Sequence, residues 1–470
     1  MDLDRIKRLK NLKVIISEAI MVLIVVVTVI ILALVVSGYW VNSDFEVERQ
    51  GMLQVSSIPT GASVVIDGET SWRQRTNTSK ILVSGEHTVT LTKEDYDSWS
   101  KIINITEGLL YRLHYPRLFL KERTPEEYYY LPETTYATVS PEYDLLLIAN
   151  NTTDWLLINL TEENPKPRTI DISSLFQSTE STPDQMSGLF TGNILNASWD
   201  HDGAHVLCQV QTDSRIEWLL LDVSNPQKSV NITREFDSDF SDIQILDNSA
   251  NNLLVIQNNN LHKIDVPNKS LSAVLIEKII DYYVSNNEIL FVAEQSNDAL
   301  TTSYEIGVTK IGDKTRTSLF QVAGPVKVAQ IQFYDKKYLA VLEGNTVTLY
   351  DRENLEEAID YITSFKPDNM EVGHHGNFIL LSSGVHLAAI DMEAGDVFEW
   401  IADNDGYNWL DYDMLYDVDG GNLFVYDYDG LNRRHLAENV SSHFPVTITD
   451  NKWLYYFSDD YLVREWIVKH

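Results

Sequence analysis

The sequence predicts an all-β body behind one N-terminal transmembrane helix, with a small β-sandwich followed by a large array of repeated strands. Three observations predict it. A charge-free apolar run lies near the N-terminus. Period-2 alternation between turn dipeptides then runs to about residue 118. From there a strand–turn–strand unit recurs to the end of the chain. At 470 residues and 44% apolar content, the chain is too long for one small core and can bury a core along most of its length.

Residues 1–13 read as a basic cytoplasmic tail carrying Arg5, Lys7, Arg8, Lys10 and Lys13. Residues 14–40 read as the helix. No charge occurs over 19–43, and 19–36 is almost unbroken Val, Ile, Leu, Ala and Met. That length crosses the ~30 Å hydrocarbon layer, where only a helix satisfies every backbone group within one segment. Tyr39 and Trp40 stand at the far end, where amphipathic aromatics favour the interface. Basic residues before the span predict a cytoplasmic N-terminus and an extracytoplasmic body beyond about residue 41. A cleaved signal peptide is the alternative. Its apolar core is shorter, ~7–15 residues, and it ends at a small-residue site that 36–40 (VSGYW) lacks.

Residues 41–50 read as a polar spacer. From residue 51, Leu53 and Val55 alternate on one strand, Pro59 and Gly61 break it, and Val64 and Ile66 form the next, ended by the turn pair Asp67–Gly68. Further strands are expected at 80–83, 87–92 and 101–105, with turns at Gly85 and Gly108. The pattern G51-x-L53-x-V55-x-S57-x-P59-x-G61-A62-x-V64-x-I66-D67-G68, followed by G85-x-H87-x-V89-x-L91 and Y96-x-x-W99, resembles the PEGA domain over residues 51–118. Thr60 stands where the namesake motif has Glu. The resemblance implies a small β-sandwich in an exported protein of a prokaryotic cell envelope. His87, alone on its strand, reads as structural rather than as a metal ligand.

Over 119–470 a unit recurs: an aromatic or apolar strand, a turn rich in Asp, Asn and Gly, a strongly apolar strand, then a strand ending in Asp or Asn. One copy spans Ala197 to Val223 and another Asp411 to Leu436; six weaker ones contain the runs at 145, 253, 289, 338, 378 and 453. Eight units of roughly 44 residues match the spacing of a four-stranded propeller blade. His201-Asp202-Gly203 and Asp429-Gly430 resemble the turn of the TolB-type, WD40-like repeat, which implies a β-propeller of seven or eight blades. The last unit, 445–470, has room for only three strands. A closed ring therefore needs a strand from elsewhere, expected near Tyr115–Lys121. One stretch near Glu353–Phe365 reads as helical.

Charge and cysteine content narrow the function. With 69 acidic against 36 basic residues the net charge is -33; beyond residue 13 the balance is 67 against 31. Such a surface repels phosphate backbones, so no nucleic-acid partner is expected. The lone Cys208 forbids an intrachain disulfide and, within a strand-like run, reads as a buried thiol. No G-x-S-x-G elbow, HExxH helix, P-loop or G-x-G-x-x-G occurs. His374 and His375 adjoin, which on a strand would point them to opposite faces. Asp403 to Gly406, with Asp411, Asp413, Asp417 and Asp419, form an acidic stretch without calcium-loop spacing. No catalytic, cofactor-binding or metal-ligating residue is assigned.

The expectation is a single-pass envelope protein. It would contact the lipid bilayer through 14–40 and present a propeller to a protein or glycan partner, without enzymatic activity. The rival readings are an envelope enzyme acting on glycans through propeller-borne carboxylates, and a structural surface-layer component.

Overall fold

A computed structural model describes residues 3–36, 39–41, 47–176, 192–213, 215–246, 250–285, 288–296, 302–312, 315–373, 376–402 and 407–469. The chain divides into two compact units, Met1–Lys121 and Glu122–His470. Strands make up 56% of it and helices 8%.

The first unit opens with a helix, Leu3–Val36, within which Ile16–Leu34 is exposed, apolar and long enough to cross a membrane. The helix stops short of Tyr39 and Trp40, which start a strand, Tyr39–Val41, paired with the beginning of Val47–Val55. The stretch read as a spacer thus contributes to a sheet. Two four-stranded sheets follow. One joins Tyr39–Val41, Val47–Val55, Thr78–Val83 and Leu110–Leu113; the other runs Glu69–Arg75, Ser63–Ile66, Gly85–Thr92, Trp99–Ile105. Alternate side chains turn inward, so Leu53, Val64, Val89, Leu91, Trp99 and Leu113 are almost fully buried. Gly51 is required where it stands. A Cβ there would collide with the Thr106 carbonyl and with Ile105.

Among its described residues the second unit contains eight four-stranded antiparallel sheets in chain order, spanning 134–171, 193–231, 242–271, 279–322, 327–362, 369–401, 408–437 and 447–466, the last completed by Glu126–Tyr130. Apolar contacts join consecutive sheets from the first through the seventh. Val206, Cys208 and Leu219 pack on Leu147, Trp155 and Ile170, and the same holds from the second sheet through to the sixth. Phe378 of the sixth sheet lies against Trp409 and stacks flat on Tyr428 of the seventh. One further cluster joins Leu146, Ile148 and Ile158 of the first sheet to Tyr455, Phe457 and Leu462 of the last. This is a propeller-type fold.

Two further expectations need correction. The strand that completes the last sheet is Glu126–Tyr130, not Tyr115–Lys121. It pairs antiparallel with Tyr461–Trp466. Residues 115–121 are already committed to the first unit: Leu118 N–H donates to the Ile58 carbonyl, Lys121 N–H to that of Asp95, and Leu118 and Phe119 are buried. The stretch 353–365 contains no helix. Ala358–Ile362 is a strand beside Thr346–Asp351, because pairing with a neighbouring strand outweighs helical propensity in a short segment.

Candidate functional site

The acidic residues of the repeats come first, since they are the groups most able to bind or react. The third strand of most sheets in the second unit ends in Asn or Asp, and these side chains hold the turn to the fourth strand. Asn159 accepts from Thr161 N–H, Asp222 from Ser224 and Asn225, Asp265 from Asn268, Asp351 from Glu353, and Asp391 from Glu393 and Ala394. The turns between first and second strands use the same device. Asp200 Oδ1 accepts from Ala204 and His205 N–H while its Oδ2 lies 2.7 Å from His205 Nδ1; Asp411 Oδ1 accepts from Asp413 and Met414 N–H. Gly430, at φ 78°, sits against the Trp400 ring, which leaves no room for a Cβ. Asp417 is buried with Arg433 Nη2 at 3.5 Å. These acids serve the fold.

The histidines and the cysteine read similarly. His87 Nδ1 lies 2.6 Å from Asp67 Oδ2 and its Nε2 lies 2.7 Å from the Val83 carbonyl, so it ties a strand to the Asp67–Gly68 turn. That hydrogen bond, with one from Thr88 N–H, holds the Asp67 carboxyl below its ordinary value. Cys208 is fully buried, and burial pushes its thiol up to about 12, far from a nucleophile's range. His374, His375, Asp403 and Asp405 lie outside the described residues. Among the described residues no group of three or more His, Cys, Asp or Glu is placed to hold a metal ion.

An opening of a different character lies where three consecutive first strands begin. Those of the fourth and fifth sheets, Ile279–Ser285 and Lys327–Phe333, pack on each other, and the latter packs on Asn369–Val372 of the sixth. Between their starting ends is a groove of about 280 Å³, lined by Ile280, Asp281, Val326, Lys327, Lys366 and Asp368, with Gly344 at its edge. Both carboxylates have partners within the fold. Asp281 Oδ2 accepts from Val328 N–H at 2.9 Å, and Asp368 Oδ2 accepts from Ser383 Oγ at 2.5 Å. Burial nevertheless holds the Asp281 carboxyl above the usual range. Lys327 and Lys366 are exposed, and neither ammonium forms a hydrogen bond or close ion pair with a described residue. The groove thus brings two exposed lysines beside two hydrogen-bonded aspartates. No sequence motif marks these lysines. Lys327 opens a strand and Lys366 lies in the segment before Asn369–Val372, 39 residues on, and they share no pattern.

Residues 50–117 match the PEGA domain. The PEGA domain therefore accounts for the sandwich and leaves the second unit outside its bounds. No curated protein matches the chain in sequence. Among solved structures, the C-terminal WD40 domain of Sif2 is 14% identical with a TM-score of 0.46, over 74% of this chain and 99% of that one. Oligogalacturonate lyase from Vibrio parahaemolyticus is 10% identical at 0.38, over 58% and 88%. Hsv2 from Kluyveromyces lactis is 10% identical at 0.41, over 63% and 93%.

Proposed function

We propose that this is a membrane-anchored binding scaffold of a prokaryotic cell envelope, without enzymatic activity. Its helix stays in the bilayer with the N-terminus in the cytoplasm. Its PEGA domain and propeller stand outside and present the propeller to a protein or glycan partner. The observation that carries the binding role is the groove over three adjoining first strands. The repeat acids are occupied by turns, whereas Lys327 and Lys366 are exposed at the groove, beside Asp281 and Asp368 whose carboxylates accept hydrogen bonds from within the fold. Such a site favours a partner segment carrying anionic groups. The orientation rests on the basic tail, by the positive-inside bias.

The test is affinity capture from solubilised membranes, comparing the native chain with Lys327→Glu/Lys366→Glu. Both lysines are exposed, so the variant is expected to keep its melting temperature. It should lose specifically captured material by tenfold or more, equivalent to ~1.4 kcal/mol. Equal capture by both proteins would overturn the groove as the binding site. Turnover of envelope glycans by the native protein would favour the enzymatic reading instead.

A further inference from the structure

The sheet that follows the membrane helix has an outer face unlike the rest of this acidic protein. On its central strand Met52 points outward. Its cross-strand neighbours in register are Ile81 and Leu110, while Val83 faces Gln50. Met52 is 41% exposed, Ile81 58%, Val83 44%, and Leu109, just before the fourth strand, 62%. The polar outward positions interspersed with them are Gln50, Gln54, Ser79 and Arg112. Among the described side chains, none of these four positions is a carboxylate. Contiguous exposed apolar side chains on one sheet face normally mark an interaction surface.

The chain itself indicates what lies opposite. The helix ends at Val36 and the first strand of this sheet begins at Tyr39, three Cα steps and at most about 11 Å away. Tyr39 pairs with Arg49, and Arg49 is three residues from Met52, about 10 Å along the strand. Arg49 is further fixed there by Glu107 at 2.8 Å and by the Tyr39 ring. A helix spanning the hydrocarbon layer ends at its edge, where a headgroup zone some 5–8 Å deep begins. The apolar face is therefore held within about 20 Å of lipid headgroups by the covalent chain.

Resting on the anchor reading above, we propose that this face of the PEGA domain, centred on Met52, Ile81, Val83 and Leu109, lies against the lipid surface from which the chain emerges. Partial insertion of apolar side chains at the interface requires no specific headgroup. Ile102 provides an internal comparison. It is 63% exposed, but on the outer face of the opposite sheet, paired with Thr88.

The test uses the full chain in phosphatidylcholine vesicles, with a nitroxide attached at Ile81→Cys or, separately, at Ile102→Cys. The native Cys208 is fully buried and stays unlabelled. Val83→Cys serves if the first substitution disturbs folding. Protein that floats with the vesicles should show a label at 81 relaxed more by oxygen than by an aqueous nickel chelate, and the reverse at 102. Floating protein with both labels equally open to nickel overturns this proposal alone. Strong dipolar broadening between labels at 81, diluted away by unlabelled chain, overturns it in favour of a second copy. Protein that fails to float overturns the anchor reading and this proposal together.

Discussion

In the PEGA domain neither sheet keeps to chain order. Ser63–Ile66 sits between Glu69–Arg75 and Gly85–Thr92, and Val47–Val55 runs parallel to Leu110–Leu113, some 58 residues on. Among the described residues of the second unit, seven sheets are plain meanders in which each strand pairs with the next, and the eighth reaches outside its own stretch. There Glu126 meets Arg464 Nε at 2.7 Å across 338 residues, and Arg123 lies 3.3 Å from the buried Glu465. The small unit spreads its long-range pairing over most of its strands. The large one concentrates it in a single seam, because hairpins close short loops at little entropic cost while one distant pairing must hold the ring. Damage should therefore be graded in the PEGA domain and abrupt at the seam.

The largest effect tests that contrast directly. Deleting 454–470 removes two strands of the last sheet, exposes Glu126–Tyr130 and uncovers Leu146 and Ile158 of the first. The expected outcome is aggregation or loss of the cooperative transition of the second unit, followed by size-exclusion chromatography and thermal melting in detergent. A monomeric product melting near the native temperature would mean the sheets form an open array, in which each contacts only its neighbours.

A smaller lesion sharpens it. Arg123 donates through Nη2 to the Leu436 carbonyl at 2.6 Å and faces Glu465, whose other oxygen accepts from Tyr456 OH at 2.5 Å. Arg123→Met leaves that carboxylate buried beside a neutral chain and should cost about 3–5 kcal/mol in urea unfolding. Adding Glu465→Gln should recover part of the loss, giving a coupling energy well above zero. Additive losses would remove the pair from the closure mechanism.

The smallest effect belongs to the PEGA domain and depends on pH. The folded-state pKa of Asp67 is depressed below 3.8, first by His87 and then by Thr88 N–H. A depressed carboxylate contributes stability that is present above its unfolded pKa and lost as pH falls through the folded one. Stability should decline from about pH 5 downward, and Asp67→Asn should flatten that decline slightly, since the carboxyl is half exposed. Thermal melts at pH 6 and pH 3 measure it. An unchanged slope would show that the His87 contact contributes nothing.

Much of this organisation is readable from local residues. Val64 and Ile66 alternate before Asp67–Gly68, and they become inward positions of a strand that ends in that turn. Asp222, Asp265, Asp351 and Asp391 each end a strand in the sequence pattern, and in the fold each side chain caps the next turn. Glu126–Tyr130 (EEYYY) shows no alternation, so nothing in it announces a strand; it becomes one by pairing with Tyr461–Trp466. Ala358–Ile362 has the same origin beside Thr346–Asp351.

The boundary between the two kinds of information follows sequence separation. Period, turn chemistry and apolar length act over a few residues, and they are enough to specify the helix, the hairpins, the repeated unit and the buried thiol of Cys208. The seam donor, the convergence of Lys327 and Lys366, and the apolar face of Met52 and Ile81 depend on which distant strands pair and in what register. Register is set by mutual burial and by backbone hydrogen bonds already spent elsewhere, as those of 115–121 are, and neither quantity exists until the chain has folded.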